Sequence, residues 1–299
     1  MKHPDDDDPR DDGPPEEIPQ ILLPTEEEAQ ALLERQVGEE ELLPAIPKAD
    51  LPGVLVVFPL RRSVPFPGLV MPVQAEAGNE TGIMEQALAQ GRHVGLLLAE
   101  GGDAATLPRP REFRRVGVVA EVHKRIRLPD GNSSYLCKGV CRFTVKRFLR
   151  RKNGAPVARV SYPEDIYPKD EKGEAMARNV LMLSQKVANH NPALGEGFTL
   201  AAHNMDPVGH LADFATAYLV KEVEAKQQVL ETLDVAERLH KVDVALTREL
   251  VTLELGDRIQ QEIRSKVEDQ QKEFFLREQI KIIRRELGEE KDPQERDRD

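Results

Sequence analysis

Short apolar segments separated by Gly and Pro occupy the chain from Leu51 to about Pro163, and such segments are typical of β-strands. Gly and Asn recur at 129–132 and 152–154, where tight turns between antiparallel strands need residues that tolerate positive φ. The pattern predicts an antiparallel sheet or a small barrel. Its strands are expected at 53–60, 69–74, 94–99, 116–128, 134–140, 143–148 and 157–162, with a short helix before the third.

Apolar residues return at helical spacing after Asp170. One helix is expected to follow the stripe of Ala175, Val180, Leu183 and Val187. A second begins at Asp206–Pro207, because Asp is a favourable N-cap and Pro fits the first position of a helix. The pattern predicts a β-domain over residues 51–165, followed by a helical subdomain over residues 170–231.

One very long helix is predicted after this subdomain. Asp234 and Glu237 have the spacing of a capping box, and from there to Leu287 the chain has no Pro and a single Gly, Gly256. A helix of ~55 residues would extend roughly 80 Å, so it must project or bundle. Spacings of three and four indicate a coiled-coil-like seam made of Leu239, Val242, Leu246, Leu250, Leu253, Ile259, Ile263, Val267, Phe274, Ile280, Ile283 and Leu287. We assign 232–291 to this helical region and 292–299 to a charged tail.

The negative charge of the chain is concentrated at its beginning. The formal net charge is −11, and residues 1–50 hold sixteen acids and four bases. The remaining 37 acids and 38 bases nearly cancel, so residues 51–299 are almost neutral. The acidic extension over residues 1–50 has too little apolar surface to offset chain ordering, and we expect most of it to be disordered and to act as a solubilising tail.

The start of the chain and its cysteines indicate a cytoplasmic protein without a membrane partner. Apolar runs such as Val94–Ala99 are far shorter than the ~20 residues of a membrane-spanning helix. The first residues run into four aspartates, which cannot form the apolar part of a signal peptide. Cys137 and Cys141 are too few for a disulfide framework, so we expect reduced, inert thiols.

The chain lacks the common catalytic motifs. No Gly-Lys dipeptide occurs, which excludes the phosphate-binding loop of a P-loop ATPase. No His precedes a Glu and no Gly-x-Ser-x-Gly occurs, which excludes two further hydrolase motifs. His203, Asp206 and His210 could be drawn as a metal site, but Asp206 is already expected to cap a helix. We therefore expect no catalytic, cofactor-binding or metal-binding residue.

The segment from Arg109 to Lys152 is strongly basic, with fourteen Lys or Arg and three acids. One interpretation is a site for nucleic acid or another polyanion. The other is that alternate strand positions face water and are basic, against the acidic extension or a neighbouring subunit. Aromatic residues that could stack on bases are sparse there, which favours the second interpretation.

Several blocks of sequence carry a resemblance to a known family. They are Phe58-Pro59-Leu60-Arg61, Pro65-Phe66-Pro67-Gly68-Leu69-Val70-Met71-Pro72-Val73, Val116 to Ala120, Leu128 to Gly131, Leu230-Glu231 with Asp234-Val235, Glu237-Arg238-Leu239, and the stretch that begins Phe275-Leu276-Arg277-Glu278-Gln279 and ends in Glu286-Leu287-Gly288-Glu289. In this order they resemble the N-terminal domain and long helix of Lon protease, over about residues 51–291. The acidic extension lies outside the resemblance.

The resemblance implies an α+β fold with a small PUA-like antiparallel β-barrel, a helical bundle and a long helix. It also implies a parent protein that is an ATP-dependent serine endopeptidase of the bacterial Lon type, an AAA+ homohexamer that uses ATP and Mg to degrade misfolded and regulatory proteins. The sequence ends at Asp299, before any P-loop or Ser-Lys dyad, so we expect this chain not to be an enzyme.

Its expected role is to recognise substrate and to support assembly. Unfolded or damaged proteins expose apolar segments, whose recognition needs uncovered apolar surface. The candidates in the proline-rich turn are Pro65, Phe66, Pro67, Leu69 and Met71, although Leu69 and Met71 are also typical core residues. Phe274, Phe275 and Leu276 on the long helix form a second candidate, for a hexamer seam or for guiding substrate. The alternatives are a scaffold that only oligomerises, or a nucleic-acid binder that uses the strands of 109–152.

Overall fold

The structure is a computed structural model, and it describes residues 48–100, 106–127, 131–149, 154–168, 171–191, 194–205 and 208–287. The disorder predicted for residues 1–50 therefore concerns residues outside the described part of the chain, apart from Lys48–Asp50, which form a short 3-10 helix. The Asp206–Pro207 cap and the charged tail at 292–299 also lie outside the described residues.

The described residues form six strands followed by helices, with one helix inserted among the strands. The strands are β1 (Val54–Leu60), β2 (Val70–Ala75), β3 (His93–Leu98), β4 (Val116–Arg127), β5 (Ser133–Leu149) and β6 (Val157–Ser161). The helices are α1 (Asn79–Ala89), α2 (Glu171–Asn189), α3 (Gly195–His203), α4 (Val208–Leu219), α5 (Val223–Glu231) and α6 (Val235–Glu286). The α+β class predicted from the sequence is confirmed.

The strands form one sheet in the order β2-β5-β4-β3-β1-β6, and β5 also pairs with β6. Strands β5, β4, β3, β1 and β6 therefore pair in succession, and the last of them pairs with the first. The prediction of an all-antiparallel sheet is wrong at one place, because β1 and β3 pair in parallel. Strand β2 and helix α1 lie between them in sequence, and a connection of that length lets the chain return in the same direction.

Strand β5 is one element of 17 residues, where the sequence predicted two strands. The predicted break coincides with Arg142, a charged residue in an otherwise alternating pattern. Arg142 is only 4% exposed, because its guanidinium is bound by groups of the helical part. The strand also shifts register against β4 and β6, so a strict period of two does not run along its whole length.

The sheet and the helices share a hydrophobic interface. Val64, Phe66 and Leu69 from the chain between β1 and β2 belong to the same buried cluster as Phe214 and Leu239 from the helices. Two further clusters involve the strands, and one of them also includes Ile83, Met84 and Ala87 of α1. The helices are therefore packed onto the sheet, and they are not connected to it only by the segment that precedes α2.

Helix α6 confirms the predicted long helix. Its N-cap is Asp234, whose carboxylate accepts a hydrogen bond of 3.0 Å from the backbone N–H of Glu237. The helix has 52 residues, which corresponds to roughly 78 Å at 1.5 Å per residue. Only its beginning is buried, at Val235, Arg238, Leu239, Val242 and Leu246.

We expect Gly139→Ala to destabilise the protein by about 1–3 kcal/mol, because a Cβ at this position of β5 would collide with the carbonyl oxygen of Phe66. The chain at Phe66 cannot move away easily, since Gly68 donates a 2.9 Å hydrogen bond to the carbonyl of Gly139. Urea denaturation measures the effect.

Gly197→Ala is the matched control. Gly197 lies within α3 with no neighbouring atom within 4 Å of the new Cβ, so this substitution should stabilise the protein by about 0.5–1 kcal/mol. Equal effects of the two substitutions would contradict the close approach of the turn to β5.

Candidate functional site

The proline-rich turn before β2 is buried. Phe66 is 2% and Leu69 is 9% exposed, and Pro65 and Pro67 are also buried. The prediction that Pro65, Phe66 and Pro67 leave apolar surface uncovered is therefore wrong, whereas the burial of Leu69 agrees with its alternative interpretation as a core residue. Met71 is half-buried.

The turn is covered because it lies against β5 on one side and joins the helical cluster on the other. Gly139 of β5 donates a 2.8 Å hydrogen bond to the Leu69 carbonyl and accepts one from Gly68. The sequence pattern could not reveal this burial, since neither a helical nor a strand period extends through the turn.

The second predicted site, on α6, is exposed. Phe274, Phe275 and Leu276 are 68%, 61% and 48% exposed. They lie in a stretch, residues 254–287, in which every residue is exposed. From Asp257, the last residue of α6 with a hydrogen bond to another part of the described chain, the helix extends by roughly 45 Å to Glu286.

The apolar seam predicted on α6 runs from buried to exposed along a single helix. Leu239, Val242 and Leu246 are fully buried, and Leu250 and Leu253 are partly buried against the same cluster. The later seam residues are about half exposed or more, and these are Ile259, Ile263, Val267, Phe274, Ile280, Ile283 and Leu287. We call this exposed part the distal seam. It is an apolar stripe to which the described residues supply no partner.

The first half of α6 is fixed to the other helices by polar contacts as well as by the seam. The amide of Asn179 on α2 donates to the carboxylate of Asp243. The ring of His190, just after α2, contacts Asp257 at 2.8 Å. The backbone N–H of Lys221, between α4 and α5, donates to Glu249 of α6 at 3.0 Å. The helix is therefore anchored over its first 23 or so residues and unsupported beyond them.

Three buried charges and the partly buried Asp165 connect the sheet to this anchored helix. Arg142 of β5 makes two hydrogen bonds to Asp213 of α4, at 2.5 and 2.8 Å. Arg238 of α6 makes two to Asp165, which precedes α2, at 2.6 and 3.0 Å. The two pairs adjoin, because Arg238 lies 3.7 Å from Asp213 and Arg142 lies 3.8 Å from Asp165. We call these four residues the charge network.

The Nε–H group of each arginine also has a hydrogen-bond partner. Nε of Arg142 donates to the carbonyl of Leu230 at 2.9 Å, and Nε of Arg238 donates to the carbonyl of Thr232 at the same distance. The arginines thus bind the backbone at the end of α5 and just before α6. Two positive and two negative charges cancel, which is the condition under which burying them is tolerable.

The pKa of the Asp165 carboxyl is lowered in this environment. Burial alone would raise it, but the hydrogen bonds from Arg238 and the charges of Arg142 and Arg238 outweigh burial. The pKa of Arg238 is raised, because its bonds to Asp165 and the charge of Asp213 outweigh the cost of burial. Asp165 and Arg238 therefore remain charged at neutral pH.

Sequence reasoning did not find the charge network. Arg142 and Asp213 are 71 residues apart, and Arg238 and Asp165 are 73 residues apart. The one local indication was Arg142, which interrupts the apolar alternation of β5. A charged residue inside a strand that is otherwise buried indicates a buried partner, but it does not say where in the chain that partner lies.

The bases of segment 109–152 divide into two groups. Three have acidic partners from other parts of the chain: Arg114 with Glu100 and Glu224, Arg125 with Glu85, and Arg142 with Asp213. Others face solvent on the strands or just before them, and these are Arg109, Arg111, Arg115, Lys124, Arg127, Lys146 and Arg147. Part of the positive charge is therefore neutralised by the fold.

The described residues contain no group of three His, Cys, Asp or Glu side chains that could hold a metal ion, and Asp206 lies outside them. Burial raises the pKa of the Cys137 thiol to about 12 and that of Cys141 to about 11. Both thiols are free. None of the helices in the described part of the chain is long and apolar enough to cross a membrane.

Comparisons with known proteins agree on one family. The family model of the ATP-dependent protease La (LON) substrate-binding domain matches residues 54–248. The Lon protease of Dictyoglomus thermophilum is 36% identical over 246 residues, which are 82% of this chain and 31% of that protein. The Lon protease of Heliobacterium modesticaldum is 34% identical over 244 residues, which are 80% of this chain and 29% of that protein.

The chain spans about a third of the length of these curated relatives. Among solved structures, the N-terminal domain of a Mycobacterium avium complex Lon protease matches with a TM-score of 0.52 at 21% identity. The match covers 65% of this chain and 98% of the mycobacterial chain, and at this identity it supports the fold alone.

We expect Arg142→Met to lower the free energy of unfolding by about 3–5 kcal/mol, because it leaves the Asp213 carboxylate buried without its main partner. The double variant Arg142→Met/Asp213→Leu should recover at least half of that loss, since Arg238 and Asp165 remain paired. Urea denaturation of the two single variants and the double variant measures the coupling.

Arg248→Met is the control, since the Arg248–Glu222 pair is largely exposed and should be worth less than about 1 kcal/mol. A double variant as unstable as the sum of its single variants would contradict a coupled buried pair.

Proposed function

The chain belongs to the family of the ATP-dependent protease La (LON) substrate-binding domain, and on this premise we propose that it is the substrate-recognition and assembly region of a Lon protease. The observation that carries the proposal is the extent of the family match. Residues 54–248 include the sheet, helices α1 to α5 and the anchored start of α6. The proposal thus concerns the described body of the protein and not one isolated motif.

In this proposal, the parent protein degrades misfolded and regulatory proteins as a cytoplasmic AAA+ homohexamer. ATP, Mg and the serine protease chemistry belong to regions of the parent that this sequence does not include. The chain itself contributes recognition and assembly and has no catalytic residue. The resemblance of the sequence to Lon over about residues 51–291 supports this assignment, and so does the match to only about a third of the length of its relatives.

We further propose that the strand pairings form a small closed barrel of the PUA-like type. The support is that β5 pairs with β4 along its length and with β6 near its end, while β6 pairs with β1. Such closure leaves few unpaired backbone groups at strand edges. Strand β2, which pairs with β5 and has Pro72 in its middle, would lie outside the closed part.

We propose the distal seam, with Phe274, Phe275 and Leu276, as the surface that contacts unfolded protein. These side chains are exposed on a helix that projects from the body, so an extended chain can reach them. Phe274 and Phe275 differ by about 100° around the helix, so pairing of two seams cannot cover both. One aromatic ring therefore stays available when helices assemble.

Each contact would be weak, and assembly would make binding effective. Six copies of the distal seam on a hexamer raise the local concentration of sites around one substrate. The same seam supports self-association, because its apolar residues continue the spacing that packs the first half of α6. A scaffold without substrate selectivity is the second candidate function, and this unpaired stripe is the observation in its favour.

The test is a titration of the whole chain against a fluorescently labelled, permanently unfolded protein and its folded counterpart, followed by anisotropy at low and high salt. We expect selective binding of the unfolded form that persists at high salt. Phe274→Ser/Phe275→Ser should weaken this binding by about tenfold or more, because each ring would lose the burial it gains on binding.

Met182→Ser/Leu200→Ser is the matched control, because these residues are 55% and 57% exposed on α2 and α3. It should leave the affinity unchanged. Phe66→Ser would be uninformative, since Phe66 is a core residue.

Equal binding of folded and unfolded protein, or self-association without binding, would favour the scaffold. Affinity that disappears at high salt would favour nucleic acid or another polyanion.

A further inference from the structure

Three bases form an exposed cluster where β5 and β6 pair. Arg147 of β5 lies directly opposite Arg159 of β6, and Lys146 is at the register shift next to Arg147. All three residues are exposed. Arg159 in turn lies opposite Val54 of β1, which is 43% exposed. We call Lys146, Arg147 and Arg159 the basic face. The bases at 150–152 lie outside the described residues and are not part of it.

The basic face lacks a neutralising partner among the residues that the structure describes. No ion pair joins Lys146, Arg147 or Arg159 to an acid there, whereas Arg114, just before β4, and Arg125 of β4 are each paired. The sequence from 146 to 159 contains no Asp or Glu. Like charges directly opposite each other on adjacent strands destabilise the pairing, so an anion bound across Arg147 and Arg159 would relieve a repulsion.

An acidic segment of the same chain is attached close to the basic face. Residues 1–47 hold fifteen acids and three bases, and they lie outside the described residues. They join the described part at Lys48, whose ammonium donates a 2.9 Å hydrogen bond to the carbonyl of Pro163. Pro163 follows β6, and β1 begins at Val54 beside β6. The acidic residues are thus attached next to the basic face.

The attachment is short enough for contact. Glu39, Glu40 and Glu41 precede Lys48 by seven to nine residues, which can extend over about 25–30 Å. Arg159 precedes Pro163 by four residues, or about 13 Å along the strand. A tether of this length gives an effective concentration on the order of millimolar, which a separate polyanion must exceed.

We propose that the acidic segment 1–47 binds to the basic face of the same chain and competes there with other polyanions. Glu39, Glu40 and Glu41 are the acids of this segment closest in sequence to the point of attachment at Lys48. The contact depends on opposite charge and not on the distal seam. It therefore does not rest on substrate recognition, and either proposal can fail without the other.

A nitroxide spin label tests the contact directly. The label is attached to Gly38→Cys in a Cys141→Ser background, where the remaining thiol, Cys137, is buried with a pKa raised to about 12. We expect strong broadening of the backbone amide resonances of Arg147 and Arg159 at about 50 mM salt. The broadening should largely disappear at about 500 mM salt, because charge attraction is screened within a few ångströms there.

Charge reversal identifies the surface. Arg147→Glu/Arg159→Glu should abolish the broadening, and adding Glu39→Lys/Glu40→Lys/Glu41→Lys should restore it. Lys124→Glu/Arg127→Glu is the matched control, with the same change in charge on exposed residues of β4. This control should keep the broadening near β6. Thermal unfolding of each variant checks that the fold is retained.

Three results would overturn the proposal. The first is absence of broadening at low salt, and the second is equal loss of broadening in both reversal pairs, which would mean attraction to net charge alone. The third is broadening that falls with dilution of the protein, which would mean that the acidic segment binds a second copy.

Binding of a single-stranded oligonucleotide gives a further readout. The chain with Glu39→Gln/Glu40→Gln/Glu41→Gln should bind the oligonucleotide several-fold more tightly than the unchanged chain does.

Discussion

The charge network is the interaction on which the rest of the structure depends. Arg142 extends from the sheet, Asp213 and Arg238 belong to helices, and Asp165 lies in the connection between the two parts. Each guanidinium also binds a backbone carbonyl near the start of α6. Buried charges add little net stability but are costly to separate, so the network selects one relative position of sheet, helices and α6.

Because the position of α6 is fixed at its start, its two halves differ in their surroundings. The first half packs its seam into the helical cluster and is also held by polar contacts. The second half continues the same apolar spacing with nothing packed on it in the part of the chain that the structure describes. A rigid base that carries an uncovered apolar helix is suited to present contacts at a distance from its own core, which is what the proposed recognition and assembly role requires.

The positions of the strands and helices could be predicted from the sequence far better than the strand pairing and the burial of individual side chains. Most strand positions and the long helix follow from local periodicity and from Asp234 as a cap, because those features act within a few residues. The parallel pairing of β1 with β3 and the burial of Phe66 did not follow, since both depend on parts of the chain far away in sequence. The exposure of one of the rings of Phe274 and Phe275 could be anticipated, because two adjacent aromatic residues cannot both lie in one narrow seam, but the exposure of both could not.

The central claim is that the network and the shared core make sheet and helices one cooperative unit, with α6 standing on it. Native-state hydrogen exchange tests it most directly, by comparing opening free energies of buried amides across both parts. We predict equal values for Val118 and Val119 of the sheet and for Phe214 and Leu230 of the helices. Helical amides that open with a free energy lower by about 1.4 kcal/mol, a tenfold difference, would contradict the claim.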